Sequence, residues 1–136
     1  MAQERILLDP SGWIYYFRPQ GWEDLKAAVQ RALSEGRIYT CWVVKAEVLV
    51  GAKDEESFVT LLDNLRALPK IPVTGKLWEA AARLGHSMQR QGLTIPLPDL
   101  LIAQAAMEGN LVLWHIDEHF ERMSRYSPLQ TRSFLP

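Results

Sequence analysis

The chain has 136 residues, of which 48% are apolar, and its 15 Lys and Arg against 16 Asp and Glu give a formal net charge of −1. We expect one domain over residues 1–136, and the near-neutral charge excludes a chain that binds nucleic acid through bulk basicity. The single cysteine, Cys41, excludes a disulfide framework and a cysteine-based zinc site, which is typical of cytoplasmic proteins. The first five residues lead into only three apolar ones, and no uncharged run approaches roughly 20 residues, so we expect neither a signal peptide nor a membrane span.

Short apolar runs alternate along the chain with longer amphipathic segments. The runs predict strands at 5–8, 38–41, 70–74, 111–116 and 129–134, of which 70–74 is weak and peripheral because it contains a proline. Apolar residues three and four apart predict helices at 22–33, from about 42 to 51, and at 57–68, 76–91, 98–108 and 117–126. This alternation predicts a three-layer α/β/α sandwich around a short parallel sheet.

Four acidic residues stand in apolar surroundings. They are Asp9 after 6–8, Glu47 within 42–50, Asp99 before 100–103 and Asp117 after 111–116. Burying a lone carboxylate costs several kcal/mol or forces it neutral, so a partner that neutralises the four acids is expected. Hard divalent cations, which prefer oxygen ligands, are the natural candidate. Asp9 and Asp117 each follow a predicted strand, at the sheet edge where open parallel sheets bind ligands.

Each acid also has a simpler interpretation. Asp99 and Asp117, considered singly, are better explained as acids at helix N-termini, and Asp9 as a turn residue. Glu47 resists such an account, because its helical face is apolar, is expected to look inward, and has only Lys45 nearby, which points elsewhere. Together the four acids favour a shared site.

Four segments of the chain resemble the blocks of the PIN-domain ribonucleases, most closely the VapC-type toxins of toxin–antitoxin pairs. The segments are 6–14, 46–52, 97–103 and 113–120. The resemblance implies that Asp9, Glu47, Asp99 and Asp117 hold Mg²⁺ or Mn²⁺ and that the protein cuts RNA. It implies further a homodimer and a small antitoxin partner, and the aromatic run 13–17 is a candidate interface.

Within this resemblance, Asp9 and Asp99 are expected as direct metal ligands and Asp117 as a ligand directly or through water. Glu47 is expected as a further ligand or as the base that orients water. The ion would polarise a phosphoryl oxygen and lower the pKa of a bound water. Arg18, Lys45 and Lys53 are candidates for phosphate contacts.

Two positions depart from the family's pattern. Pro10 stands where the family has Thr or Ser, with Ser11 as a substitute hydroxyl, and His115 stands where the family has Thr. His115 is a candidate to hydrogen-bond a carboxylate or a phosphate, whereas His119 is expected to be exposed, with a position facing the substrate as the lesser alternative. The departures keep open a non-catalytic PIN-like module that binds RNA or protein. A phosphoryl-transfer domain with Asp9 as the nucleophile is another alternative.

Overall fold

A four-stranded, wholly parallel sheet forms the centre of the computed structural model, which describes residues 3–136. Met1 and Ala2 lie outside the described residues, and so does that part of the expectation about a signal peptide. The strands are β1 (Ile6–Leu8), β2 (Ile38–Tyr39), β3 (Val112–His115) and β4 (Thr131–Ser133). Their order is β2-β1-β3-β4, and Ile6 is paired with Ile38 on one side and Val112 on the other.

Seven helices surround the sheet in the described part of the chain. They are α1 (Pro10–Tyr16), α2 (Glu23–Ser34), α3 (Trp42–Val50), α4 (Glu55–Arg66), α5 (Gly75–Arg90), α6 (Leu97–Glu108) and α7 (Glu118–Ser124). All three residues of β1 are fully buried. Since successive strand residues point to opposite faces, helices must cover both faces of the sheet. The predicted α/β/α sandwich is therefore confirmed. None of the helices among residues 3–136 has the length and apolarity that crossing a membrane would need.

The segment 70–74, predicted as a weak strand, is not one. It forms a single bridge, in which the Ile71 N–H donates to the Thr40 carbonyl at 2.8 Å, while the Thr40 N–H bonds the Pro69 carbonyl at 2.9 Å. Pro72 has no N–H with which to extend the ladder. The sheet therefore ends at β2.

Helix α1 begins directly after β1 and was not among the predicted helices, because Asp9-Pro10 was interpreted as a turn. Pro10 occupies the first helical position, where a missing N–H costs nothing. Gly12 then allows close packing, since a Cβ there would lie 2.5 Å from Leu8 Cδ1 and 3.0 Å from Asp9 Oδ1. The strand, the acid and the helix thus form one tightly packed unit.

The edge formed by the carboxyl ends of β1 and β3 is where the chain reverses its progress across the sheet. From β1 the chain crosses to β2 on one side and later to β3 on the other. The two ends are joined directly, because the Asp9 N–H donates to the Trp114 carbonyl at 3.0 Å. Open parallel sheets bind ligands at such a switch point.

Candidate metal centre

Asp9 is the most deeply buried acid of the site. It caps α1, where its Oδ1 accepts the Gly12 N–H at 2.7 Å, and only 1% of the residue is exposed. Burial raises the pKa of Asp9 from 3.8 to about 7, against the lowering effect of the Gly12 N–H and with added repulsion from Asp117 and Asp99. An ordinary cap would hold this pKa low, so burial overrides the cap here.

Asp117 repeats this arrangement at the end of the neighbouring strand. It follows β3 by two residues and caps α7, with its Oδ1 accepting the His119 N–H at 2.9 Å. The simpler interpretation of Asp117, as an acid that caps a helix, is therefore correct, but it does not exclude a second role as a metal ligand. A carboxylate has four lone-pair positions, so capping leaves capacity for a cation.

Asp99 is the third residue of α6, but the hydrogen bond that its side chain makes lies outside that helix. Its Oδ2 is 3.1 Å from His119 Nδ1, a contact that bridges 20 positions of sequence. Burial raises the pKa of Asp99; His119 acts in the opposite direction, and the charge of Asp117 adds to the rise. The simple helix-start interpretation does not explain this placement.

Glu47 corrects one expectation about α3. The buried side of the helix carries Val44 and Val48, while Glu47 is exposed and Val50 is 85% exposed. Its face therefore looks outward over the site rather than into the core. Partial burial raises the pKa of Glu47, and the charge of Asp99 raises it further.

The structure therefore brings the four predicted acids into one electrostatic group. Asp9 is affected by Asp99 and Asp117, and Glu47 is affected by Asp99. The pKa is raised at Asp9, Glu47 and Asp99, and burial contributes more to the rise than repulsion between the acids does. Such acids favour a bound cation because it offsets the cost of their ionisation.

The donor set fits a divalent ion. One ligand atom each from Asp99, Asp117 and His119 lies within 4.8 Å of the others, and the three residues are partly buried. Carboxylate oxygens are the ligands that Mg²⁺ and Mn²⁺ prefer. Asp9 is close enough to Asp99 and Asp117 for their charges to raise its pKa, and its carboxylate is buried.

The side chain of His115 is hydrogen-bonded to the backbone of Asp117 and to Glu121, and not to the carboxylates of the four acids. The Asp117 N–H donates to its Nδ1 at 3.1 Å, which makes Nδ1 the acceptor and places the ring proton on Nε2. That Nε2 lies 2.7 Å from Glu121 Oε1, which also accepts the Thr131 hydroxyl at 2.7 Å. The fully buried His115 ring thus ties β3, α7 and β4 together and holds the Asp117 backbone. It contacts a carboxylate, as anticipated, but not one of the four acids.

Of the three candidate phosphate contacts, Lys45 is the one that the protein encloses. Lys45 is fully buried, and its Nζ lies 3.5 Å from the centre of the Trp42 ring without a hydrogen-bond partner among the described residues. Burial lowers the pKa of Lys45, and the nearby charges of Lys70 and Arg66 lower it further. This burial against Trp42 argues against a phosphate contact by Lys45, which remains a prediction.

Arg18 and Lys53 lie at the opposite end of α1 from Asp9. Arg18 follows the helix, with its guanidinium 4.2 Å from the centre of the Tyr15 ring. Lys53 lines a surface cavity of about 460 Å³ beside Phe17. Because α1 leads the chain roughly 10 Å away from the strand end, any phosphate that these two residues contact would lie away from the acids, and the two calls stay predictions. Ser11 is the second residue of α1, two positions after Asp9, and stays a candidate.

His119 is the site residue that sequence reasoning missed. It was expected to be exposed, yet its Nδ1 lies 3.1 Å from Asp99 Oδ2 and 3.5 Å from Asp117 Oδ1. A local signal existed. The second residue of a helix lies beside the side chain of the capping acid, and here that acid is Asp117.

Comparisons with known proteins agree with this architecture. A family model described as the PIN domain matches residues 6–126. Ribonuclease VapC11 of Mycobacterium tuberculosis is 35% identical over 133 residues, covering 95% of this chain and 98% of that protein.

Solved structures share the fold at lower identity. VapBC2 from Rickettsia felis, bound to a DNA fragment from its promoter, is similar with a TM-score of 0.77 and 23% identity over 94% of this chain and 97% of that chain. VapBC-5 of Mycobacterium tuberculosis, described as a member of the VapBC family of toxin-antitoxin systems, has a TM-score of 0.62 and 19% identity over 98% of this chain and 100% of that chain.

Proposed function

Because the chain belongs to the PIN domain family, we propose that it is an endoribonuclease dependent on Mg²⁺ or Mn²⁺ and the toxin of a toxin–antitoxin pair. The observation that carries the proposal is the gathering of four acids at one sheet edge, with Asp9 buried and its pKa raised to about 7. Ionising these acids is unfavourable without a partner, so the site is suited to a divalent cation. Its relatives named as ribonucleases support the choice of reaction.

We assign a role to each acid according to its position in the site. Asp9 is held as the cap of α1 and Asp99 against His119, and we assign these two as direct ligands. Asp117 joins them directly or through water while it continues to cap α7. Glu47, on the exposed side of α3, orients the attacking water. A bound divalent ion would supply Lewis-acid polarisation of the phosphoryl oxygen and a lowered pKa of the water.

The departures at Pro10 and His115 do not favour the non-catalytic alternative. Pro10 starts α1 without disturbing the cap, since Asp9 still accepts the Gly12 N–H. His115 turns its ring away from the acids towards Glu121 and holds the chain that carries Asp117. Both substitutions leave the four carboxylates in place.

For partners we propose RNA as substrate, a second copy of this chain and a small antitoxin. The exposed side chains of Ile14 and Phe17 and a cavity of about 480 Å³ beside Phe17 offer apolar surface for a protein partner. The toxin–antitoxin description of a structural relative supports the kind of partner.

Cleavage of a structured RNA by the purified protein tests the proposed activity. We expect cutting with Mg²⁺ or Mn²⁺ that stops on addition of EDTA, and no cutting by Asp9→Asn or Asp99→Asn. Asp54→Asn is the matched control, because Asp54 also caps a helix by accepting a backbone N–H at 2.7 Å but is exposed and lies outside the site. Cutting that survives EDTA or both site variants would contradict the proposal, and hydrolysis of an aryl phosphate without RNA cleavage would favour a phosphoryl-transfer domain.

A further inference from the structure

His119 stands at the acid site with one ring nitrogen facing two carboxylates. The distances from Nδ1 are 3.1 Å to Asp99 Oδ2 and 3.5 Å to Asp117 Oδ1. A single N–H can point well at only one of two such acceptors. Two carboxylate oxygens therefore face Nδ1, whereas a hydrogen bond from a single N–H would use only one of them.

These spacings are those of ligands around one small cation. With metal–ligand distances of 2.0–2.2 Å, neighbouring ligand atoms lie roughly 3 Å apart in an octahedron and about 3.4 Å apart in a tetrahedron. The ligand atoms of Asp99, Asp117 and His119 are all within 4.8 Å of one another. One ion placed between them would reach all three with little movement.

The backbone holds the imidazole in this position. The His119 N–H donates to Asp117 Oδ1, and the next residue, Phe120, is buried against the His115 ring. The His119 side chain itself is 36% exposed, so an ion from solvent can reach it. Helix α7 packs on α6, which carries Asp99.

We propose that His119 is a direct nitrogen ligand of the metal at this site, and that it shifts the preference of the site from Mg²⁺ towards Mn²⁺ and other divalent transition metals. The proposal rests on the proposed function, because it concerns the same acid site. Mn²⁺ also prefers oxygen ligands, but as a divalent transition metal it accepts an imidazole more readily than Mg²⁺, which keeps oxygen ligands and water. When Nδ1 ligates, the ring proton stays on Nε2.

The decisive measurement is pulsed electron paramagnetic resonance of Mn²⁺ bound to the protein without RNA, in a buffer free of nitrogen ligands. We expect modulation from a directly coordinated ¹⁴N that changes to the ¹⁵N pattern when only histidine is labelled with ¹⁵N. This result needs no variant, so a folding defect cannot obscure it. Mn²⁺ bound without a coordinated nitrogen, or no Mn²⁺ binding at all, would overturn the proposal.

Titration calorimetry with Mn²⁺ and with Mg²⁺ separates a ligand from a mere hydrogen-bond partner. His119→Asn keeps a donor near the Nδ1 position but supplies a poor ligand. We expect it to weaken Mn²⁺ by at least about tenfold and Mg²⁺ much less. His86→Asn, on the exposed side of α5, is the matched control and should change neither. Equal weakening of both ions by His119→Asn would mean that His119 only orients Asp99.

The outcome is distinguishable from a failure of the proposed function. A protein that binds Mn²⁺ through His119 but cuts no RNA would refute the endoribonuclease and keep the ligand assignment. RNA cleavage with a nitrogen-free Mn²⁺ shell would do the reverse.

Discussion

Replacing Asp9 by Asn should stabilise the metal-free protein, and should do so more as the pH rises. Asp9 has its pKa raised by burial from 3.8 to about 7. Between these pH values the folded protein holds one proton more than the unfolded chain, so the parent loses stability as the pH rises through this window. The Asn variant has no proton to lose there, while its side-chain oxygen still accepts the Gly12 N–H.

The magnitude follows from the shift. At about 1.4 kcal/mol for each pKa unit, raising the pKa from 3.8 to about 7 corresponds to roughly 4 kcal/mol of stability that the parent lacks above pH 7. The stability difference, variant minus parent, should therefore increase from pH 4 to pH 7 and then level off. Since only 1% of Asp9 is exposed, solvent screening reduces this value little.

Urea unfolding followed by circular dichroism, with EDTA present and at pH values from 4 to 8, measures the difference. Asp54→Asn is the control with the same cap geometry and the opposite sign. The backbone N–H of Ser57 lowers the pKa of Asp54, so its carboxylate stabilises the fold above its ordinary pKa and the variant should gain nothing at neutral pH. A flat difference for Asp9→Asn across this range would refute a buried acid with a raised pKa.

Two further predictions concern packing and assembly. Gly12→Ala should lower stability by about 1–3 kcal/mol, because the new Cβ would lie 2.5 Å from Leu8 Cδ1, whereas Gly75→Ala, with nothing within 4 Å, should change it little; equal urea midpoints for the two variants would contradict this. Light scattering at micromolar concentration should give twice the 15.5 kDa of one chain, since Ile14 is 42% exposed and Phe17 39%, and a strict monomer would count against the homodimer.

The fold class and the four acids could be predicted from the sequence for a local reason. Strands and helices differ in the period of their apolar residues, and the acid that ends an apolar run marks the carboxyl end of a strand. Asp9 and Asp117 were therefore placed correctly at one sheet edge. Helix α1 was missed because Asp-Pro is compatible both with a turn and with a cap followed by a first helical proline.

The partners of individual side chains were decided only by the tertiary structure. Lys45 and Glu47 are two residues apart on α3, but the packing of that helix buries the lysine and exposes the acid. An almost wholly apolar helix has little amphipathic contrast, so its sequence does not say which side faces the core.

The hydrogen-bond partners of the two histidines His115 and His119 likewise depend on contacts between residues that are apart in the sequence. His119 meets Asp99 because α6 and α7 pack together, and His115 meets Glu121 because α7 packs beside β4. Sequence spacing specifies which residues share an element, but the distance between two elements depends on how the whole core packs. The sequence by itself therefore determined the four acids and the edge of the sheet near which they gather. Only the three-dimensional packing decided that a histidine joins them and that Lys45 lies buried against Trp42.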